Sequence, residues 1–160
     1  MATSPSTSSR QLLGWFLVSI QALLFLGIGF WPAAWSTSFA PMLWPALTLV
    51  AIGSAGVVAS AFHLGKALTP LPEPNGAGMS ARGVYRWARH PMYTSLVVIC
   101  AGVAIGRGVW VTAGLVAALA VFFDIKARFE ERYLLNTYAG YAEYRATTGK
   151  FIPTVVRARK

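Results

Sequence analysis

Four long apolar runs, separated by polar segments, dominate the pattern of the chain. They cover residues 12–31, 42–62, 91–106 and 109–127, and the first two contain no charged residue. Twenty residues of α-helix rise about 30 Å, which matches the hydrocarbon core of a bilayer. The pattern therefore predicts an all-α, polytopic membrane protein with about four transmembrane helices. The third run is short for a complete crossing.

The third and fourth runs are separated only by a turn around Arg107, which predicts a C-terminal helical hairpin. Gly102 and Gly106 form a GxxxG pair, and Ala113 with Ala117 is expected to face it, because small residues let helices approach closely in lipid. The second run has small residues at four-residue spacing that favour a similar contact: Ala51, Ala55, Ala59, and Gly56 with Ser60.

The polar segments divide the chain into a short tail and one domain. Residues 1–10 are rich in Ser and Thr and form a polar tail, and residues 11–160 are expected to form a single membrane domain. Alternating prolines in residues 63–80 exclude a helix there and predict a loop. Charges of both signs after Asp124 continue a helix-favouring pattern, so the fourth helix is expected to continue to about Tyr138.

Positive charge is distributed unevenly along the chain. There are 14 Lys and Arg against 5 Asp and Glu, a formal net charge of +9. If both termini are cytoplasmic, all 14 basic residues except Arg107 lie on the cytoplasmic side, as the positive-inside rule requires. Orientation in a bilayer therefore explains the charge, and we expect no nucleic-acid partner. The lone cysteine, Cys100, cannot form an internal disulfide.

Two polar clusters are expected to meet at the cytoplasmic end of the hairpin. One extends from Arg89 to Tyr93 at the start of the third helix, and the other is Glu130-Glu131 near the end of the fourth. Pro91 suits the first helical position, and the free amides of a helix start favour an anion, which Arg89 can also bind. Two carboxylates can bind an ammonium group or ribose hydroxyls. The cluster therefore suits a zwitterionic ligand with a sugar.

A structural interpretation of the same residues competes with this one. Arg89 and Tyr93 are also typical of anchors at a membrane interface. The glutamate pair could equally form a solvated helix face that is paired to Lys126 and Arg128.

The order of these residues resembles the pattern of a known enzyme group. G-x-Y-x-x-x-R-H-P-x-Y, a hairpin, E-E, and G-x-x-x-Y ending in F-I-P is similar to the isoprenylcysteine carboxyl methyltransferase and phospholipid N-methyltransferase group of membrane enzymes. In this chain the pattern consists of Gly83, Tyr85, Arg89, His90, Pro91, Tyr93, Glu130, Glu131, Gly140, Tyr144 and Phe151-Ile152-Pro153. The resemblance covers about residues 64–153.

This resemblance implies a methyltransferase with S-adenosylmethionine as its cofactor, bound in a cytoplasmic pocket. The implied substrate is lipophilic and reaches the pocket from the lipid bilayer, between helices. The residues expected to bind the cofactor are Arg89, His90, Pro91, Tyr93, Glu130 and Glu131. Tyr144 and Arg145 are the candidates for the substrate side. Methyl transfer is a direct displacement that depends on alignment, so no catalytic acid or base is assigned.

Two other functions compete with methyl transfer. Membrane reductases of the sterol type have a related hairpin and bind NADPH, although they are generally longer. A transporter or a partner subunit is the non-enzymatic alternative, but a solute path usually needs ionisable residues within the spans. No His and Cys pair has metal-ligand spacing, so no metal site is expected. The methyl acceptor (a prenylcysteine-like carboxylate, a lipid, an amine or a thiol) and the oligomeric state stay open.

Overall fold

A computed structural model describes residues 7–71 and 78–153. Its five α-helices are α1 (Thr7–Phe30), α2 (Leu43–Leu64), α3 (Pro91–Arg107), α4 (Trp110–Thr137) and α5 (Tyr141–Thr147). Short 3-10 helices lie at Ala33–Trp35, Gly65–Ala67 and Gly83–Arg86. Within the described ranges the only β-type pairs are two isolated bridges. The predicted all-α fold is therefore confirmed.

Three of the helices are long and apolar enough to cross a membrane. They are Gln11–Phe30 within α1, Leu43–Ala67 over α2 and the turn that follows it, and Trp110–Thr137, which is α4. α3 has 17 residues and is therefore about 25 Å long, the shortest of the four apolar helices. The chain is an integral membrane protein, because helices of this length and composition are stable in a hydrocarbon environment.

α3 occupies the centre of the bundle and packs against α1, α2 and α4. Its contact with α2 is close because glycines of α2 face it. A methyl group added at Gly53 would lie 2.8 Å from the carbonyl oxygen of Ser95 and 2.9 Å from the amide nitrogen of Ile99. The backbones of α2 and α3 can therefore approach to a distance that a side chain at this position would prevent.

The predicted partner of the GxxxG pair was wrong. A methyl group at Gly102 would lie 2.8 Å from the carbonyl oxygen of Ala46, and one at Gly106 would lie 3.1 Å from the Ala46 side chain. Both glycines of α3 therefore face α2, and not Ala113 and Ala117 of α4. The hairpin of α3 and α4 does form, but α2 occupies the glycine face of α3.

The small-residue pattern of the second run was also correct only in part. Gly56 and Ser60 turn toward the bundle, and Ser60 is fully buried. Ala51 and Ala55 are exposed on the outer face of α2. The contact face follows Gly53, Gly56 and Ser60, a spacing of three and four residues that keeps to one side of a helix.

A basic residue stabilises the end of the bundle at which both α1 and α3 terminate. Arg107 ends α3, and its guanidinium donates to the backbone carbonyls of Gly29 and Trp31 at the end of α1. The last carbonyls of a helix lack partners within the helix and carry partial negative charge. The one basic residue that was predicted on the non-cytoplasmic side is therefore bound to the end of a helix.

The buried core lies where α1, α3 and α4 meet. Its most buried members come from all three helices: Leu17, Ile28, Cys100, Leu119, Phe122 and Phe123. The cysteine contributes as a small apolar residue. This core holds α3 and α4 side by side, and it therefore determines how the start of α3 faces the later part of α4.

Two of the predicted polar segments lie partly outside the described residues. The polar tail was expected at residues 1–10, and α1 begins within it at Thr7. In the predicted loop, residues 72–77 are outside the described part of the chain, and they include two of the alternating prolines. The last basic residues, at 157, 159 and 160, lie outside it as well.

Candidate active site

The start of α3 and the second half of α4 lie side by side and form a polar cluster. Pro91 is the first residue of α3 and His90 precedes it as the N-cap. α4 continues beyond its apolar part to Thr137, so that Glu130 and Glu131 lie beside the start of α3. Residues about 40 positions apart are thus brought into contact, as the hairpin predicted.

Glu131 is the buried centre of this cluster. Its Oε1 atom accepts a hydrogen bond from Arg89 Nε at 2.9 Å and lies 3.1 Å from His90 Nε2. The side chains of Glu131, Arg89 and His90 are only 6%, 10% and 5% exposed. A buried carboxylate needs such partners, because burying a charge without them costs several kcal/mol. Glu131 therefore links the start of α3 to α4.

The same arginine binds the backbone of the C-terminal segment. Its Nη1 atom donates to the carbonyl oxygens of Arg145, at 2.7 Å, and Thr148, at 2.6 Å. The backbone amide of Arg89 donates to Gly149, and that of His90 donates to Lys150. These bonds hold the residues after α5 against the start of α3, and they use donors of Arg89 that were expected to bind a ligand.

Glu130 has a different environment from its neighbour. Its Oε2 atom accepts a hydrogen bond from the Tyr93 hydroxyl at 2.8 Å and lies 3.7 Å from His90 Nδ1. The Glu130 side chain is 30% exposed, against 6% for Glu131. The Tyr93 ring stacks on His90 and on Phe123, with centroid distances of 5.4 and 4.6 Å. Glu130 is therefore oriented by the protein but still accessible.

A pocket opens beside this cluster at the end of α4. The space between its walls, together with the open solvent at its mouth, is about 620 Å³. Its wall combines charged, aromatic and apolar side chains: Leu64, Ala67, Thr69, Gly78, Met79, Ser80, Tyr85, Arg89, His90, Glu130, Leu134, Tyr141 and Tyr144. Glu130 is the carboxylate in this wall.

Three tyrosines line the pocket as neutral groups. Burial raises the pKa of Tyr144 to about 12, and burial also raises the pKa values of Tyr85 and Tyr141. The protonated hydroxyl of Tyr144 donates to the backbone carbonyl of Tyr85 at 2.5 Å. This bond joins α5 to the 3-10 helix Gly83–Arg86, and so closes one side of the pocket.

The two residues expected on the substrate side lie in different places. Tyr144 lines the same pocket as Glu130. Arg145 is half exposed, and its Nε atom lies 3.4 Å from Glu131 Oε2. Neither of them lines the separate groove described next.

An apolar groove lies on the other side of Tyr93, between α3 and α4. It has a volume of about 480 Å³ and is lined by Tyr93, Thr94, Val97, Val98, Ala120, Phe123 and Phe151. No charged side chain lines it. Tyr93 also lines a small polar pocket beside His90 and Glu130. One aromatic ring thus separates a polar compartment from an apolar one.

The interpretation of the glutamate pair as a solvated face paired to Lys126 and Arg128 was wrong. Arg128 pairs with Asp124 at 2.7 Å. The buried ammonium of Lys126 donates instead to Gln21 of α1 at 2.7 Å. The partners of the glutamates come from the start of α3 and from Arg145 of α5, so the pair faces the bundle.

Sequence reasoning did not identify several residues of this site. Leu64, Met79 and Leu134 line the pocket but are ordinary apolar residues in the sequence. Tyr85 belongs to the recognised pattern, two residues after Gly83, and Tyr141 directly follows Gly140 of the same pattern. These positions were the available signal for the two tyrosines. Contacts to the backbone carbonyls of Thr148 and Lys150 leave no signal in residue types.

Comparison with known proteins supports a family assignment. The family model described as phospholipid methyltransferase matches residues 41–140, which is more than half of the chain. The chain therefore belongs to the phospholipid methyltransferase family. The matched region extends over α2, α3 and α4, and it includes the histidine of the α3 start and both glutamates of α4.

One curated relative is the cobalt-zinc-cadmium resistance protein CzcN of Cupriavidus metallidurans. It is 30% identical over 112 residues, which are 69% of this chain and 51% of that protein. The chain thus spans about half the length of this relative. Among residues 7–71 and 78–153 there is no group of three or more His, Cys, Asp or Glu side chains that could hold a metal ion.

Proposed function

We propose that this chain is an S-adenosylmethionine-dependent methyltransferase that acts on a lipophilic substrate at the cytoplasmic face of the membrane. The observation that carries the proposal is the pocket beside Glu130, at the start of α3, in a chain of the phospholipid methyltransferase family. The pocket combines charged, aromatic and apolar side chains, as a cofactor with charged, ribose and adenine parts requires.

The pocket wall fits the parts of this cofactor. Glu130 would bind its amino group or its ribose hydroxyls, because an accessible carboxylate accepts strong hydrogen bonds from such groups. The amides that follow Pro91 and the His90 side chain would hold its carboxylate end, since a helix start favours an anion. Leu64, Met79 and Leu134 would contact the adenine.

Arg89 and Glu131 have a different role in this proposal. Both are buried, and they bind each other, so they would shape the site from behind. Arg89 holds the C-terminal segment, and Glu131 holds His90 in position. The sequence assigned both residues to the cofactor itself, and we now propose that they position the groups that touch it.

When bound, S-adenosylmethionine would supply a methyl group on its sulfonium sulfur, whose carbon a nucleophile can attack with S-adenosylhomocysteine as the leaving group. The protein would contribute alignment and the exclusion of water, without a general base. Tyr93 lies between the apolar groove and the small pocket beside His90 and Glu130. Its ring would therefore separate the cofactor from the substrate chain.

The apolar groove is the proposed place for the hydrocarbon part of the substrate. Its lining is apolar and lies beside the membrane-spanning parts of α3 and α4. An acyl or prenyl chain would be stabilised there by about 25 cal/mol for each Å² of apolar surface that it buries. Carboxylate, lipid amine and thiol acceptors all remain candidates, because the groove selects the chain and not the reacting group.

We propose the orientation in which both termini are cytoplasmic. The uneven distribution of Lys and Arg supports it. The pocket lies at the ends of α2 and α4, which these basic residues flank. This orientation would therefore place the pocket in the cytoplasm, where the cofactor would be available.

Titration calorimetry of the detergent-purified protein with S-adenosylhomocysteine, the demethylated cofactor, tests the proposal. Saturable binding is expected, and no binding at millimolar ligand would refute it. NADPH is the matched probe for the reductase alternative, and NADPH binding without S-adenosylhomocysteine binding would favour that function. Uptake of solute by the protein in liposomes would favour a transporter. Transfer of labelled methyl groups into extracted native lipids would then identify the acceptor.

A further inference from the structure

One charged side chain is buried where α1 meets α4. Lys126 is 2% exposed, and its ammonium donates to Gln21 Oε1 of α1 at 2.7 Å. The same nitrogen lies 5.6 Å from the centre of the Tyr93 ring. Glu130 follows Lys126 by four residues and therefore lies on the same face of α4. Lys126 is thus surrounded by an amide, an aromatic face and a carboxylate.

Bundle stability alone does not account for a lysine at this position. Moving an ammonium out of water carries a penalty of several kcal/mol, and one amide hydrogen bond offsets only part of it. An apolar side chain of similar length would fill the same space without that penalty. Ionisable residues buried inside the helix bundle of a membrane protein generally serve its function.

We infer that Lys126 is a positioning residue for the proposed cofactor pocket: its ammonium, fixed by Gln21, holds the Tyr93–Glu130 pair in the orientation that presents the Glu130 carboxylate to the pocket. This inference rests on the proposed function. It also assigns a role to Gln21, the one amide within the first apolar run, residues 12–31.

Two contacts explain how this positioning would work. A cation near an aromatic face is attracted to it, and more strongly where water is excluded, so Lys126 restrains the Tyr93 ring. The Tyr93 hydroxyl donates to Glu130 Oε2 at 2.8 Å. The positive charge of Lys126 also lies one turn away from Glu130 on the same face of α4. Movement of α1 at Gln21 would therefore be transmitted to the pocket.

The test compares the affinity for S-adenosylhomocysteine with thermal stability in three variants. Lys126→Met should weaken binding roughly fivefold to thirtyfold, the effect of losing one desolvated cation–π contact. Its melting temperature should stay equal or rise, because replacing a buried ion by an apolar side chain is often neutral or stabilising. Lys126→Arg keeps the positive charge and can still lie over the Tyr93 ring, so it should bind within about threefold of the wild type. Arg128→Met removes an exposed charge from the same helix and should change neither property.

The outcomes separate this inference from the proposed function. If the wild type does not bind S-adenosylhomocysteine, both are wrong. If the wild type binds and Lys126→Met binds equally well, the proposed function stands and the positioning role is wrong. Weak binding in Lys126→Met together with a large loss of stability would show a structural role instead, and would also overturn the inference. Weakened binding in Lys126→Met, rescue by Lys126→Arg, and no loss of stability in either variant are together the result that the inference requires.

Discussion

Substitution of the two adjacent glutamates of α4 by glutamine should affect two different properties of the protein, ligand binding and stability. Glu130 lines the pocket and is 30% exposed, whereas Glu131 is 6% exposed and is bound to Arg89 and His90. Glutamine has the same shape as glutamate but no charge. Glu130→Gln should therefore weaken ligand binding and preserve stability, and Glu131→Gln should lower stability.

The magnitude at Glu130 follows from the bond that is lost. A hydrogen bond to a charged group contributes about 1.5–3 kcal/mol, which corresponds to roughly a tenfold to hundredfold weaker affinity for S-adenosylhomocysteine. The Tyr93 hydroxyl can still donate to the amide oxygen of glutamine, so the wall of the pocket should keep its shape. The melting temperature should therefore change little.

The magnitude at Glu131 comes from the buried pair. Breaking a buried ion pair by neutralising one partner destabilises a protein by about 3–5 kcal/mol. Glutamine still offers one acceptor to Arg89, so about 2–3 kcal/mol is a more suitable value here. For a chain of this size each kcal/mol shifts the melting temperature by about 2–4 °C. The expected decrease is roughly 5–10 °C.

Calorimetric titration and thermal unfolding in the same detergent measure both effects. Glu143→Gln is the matched control, because Glu143 is exposed in the first turn of α5 and should behave like the wild type in both assays. Unchanged affinity in Glu130→Gln would remove the cofactor from this wall of the pocket. Unchanged stability in Glu131→Gln would contradict the buried cluster itself.

Three further predictions test the topology, the groove and the packing. With Cys100 replaced by Ala, a cysteine introduced by Ser38→Cys should react with an impermeant reagent from the non-cytoplasmic side, and labelling from the cytoplasm alone would reverse the proposed orientation. Ala120→Trp should fill the apolar groove and lower methyl transfer to lipid by at least about tenfold while S-adenosylhomocysteine still binds, so equal loss of both would argue against a separate substrate groove. Gly53→Ala should lower the melting temperature, because the added methyl group would lie 2.8 Å from a carbonyl oxygen of α3. Overpacking of this kind typically costs about 1–3 kcal/mol. An unchanged melting temperature would mean that α2 and α3 do not pack so closely.

The sequence was sufficient for the helices because lipid imposes a simple length requirement. The predicted apolar runs agree with α1 to α4 to within a few residues, except that α1 begins at Thr7. The predicted continuation of the fourth helix to about Tyr138 is confirmed, since α4 ends at Thr137. Helix pairing was harder to predict. Gly102 and Gly106 were correctly identified as contact residues, but their partner depends on which neighbour fits the face. A pattern of small residues does not specify that neighbour, because small residues occur on α2 and on α4 alike.

The site was predictable to the extent that it depends on ionisable side chains at helix ends. The hairpin requires the start of α3 to lie near the later part of α4, so the proximity of His90 to Glu130 followed from the connection alone. The difference between Glu130 and Glu131 did not follow from it. Successive residues on a helix point about 100° apart, and the angle at which α4 faces α3 determines which of the two is buried.

Arg89 shows why side-chain chemistry alone could not predict its role. Its guanidinium was expected to bind a ligand carboxylate, yet it binds Glu131 and two backbone carbonyls of the C-terminal segment. Every residue type offers a backbone carbonyl, so no residue type in that segment could indicate the contact. The family match ends at residue 140, before the segment that Arg89 holds. Arg89 lies within the matched region and nevertheless binds backbone carbonyls of a segment beyond that region. This contact requires only that the chain after α5 returns to the start of α3.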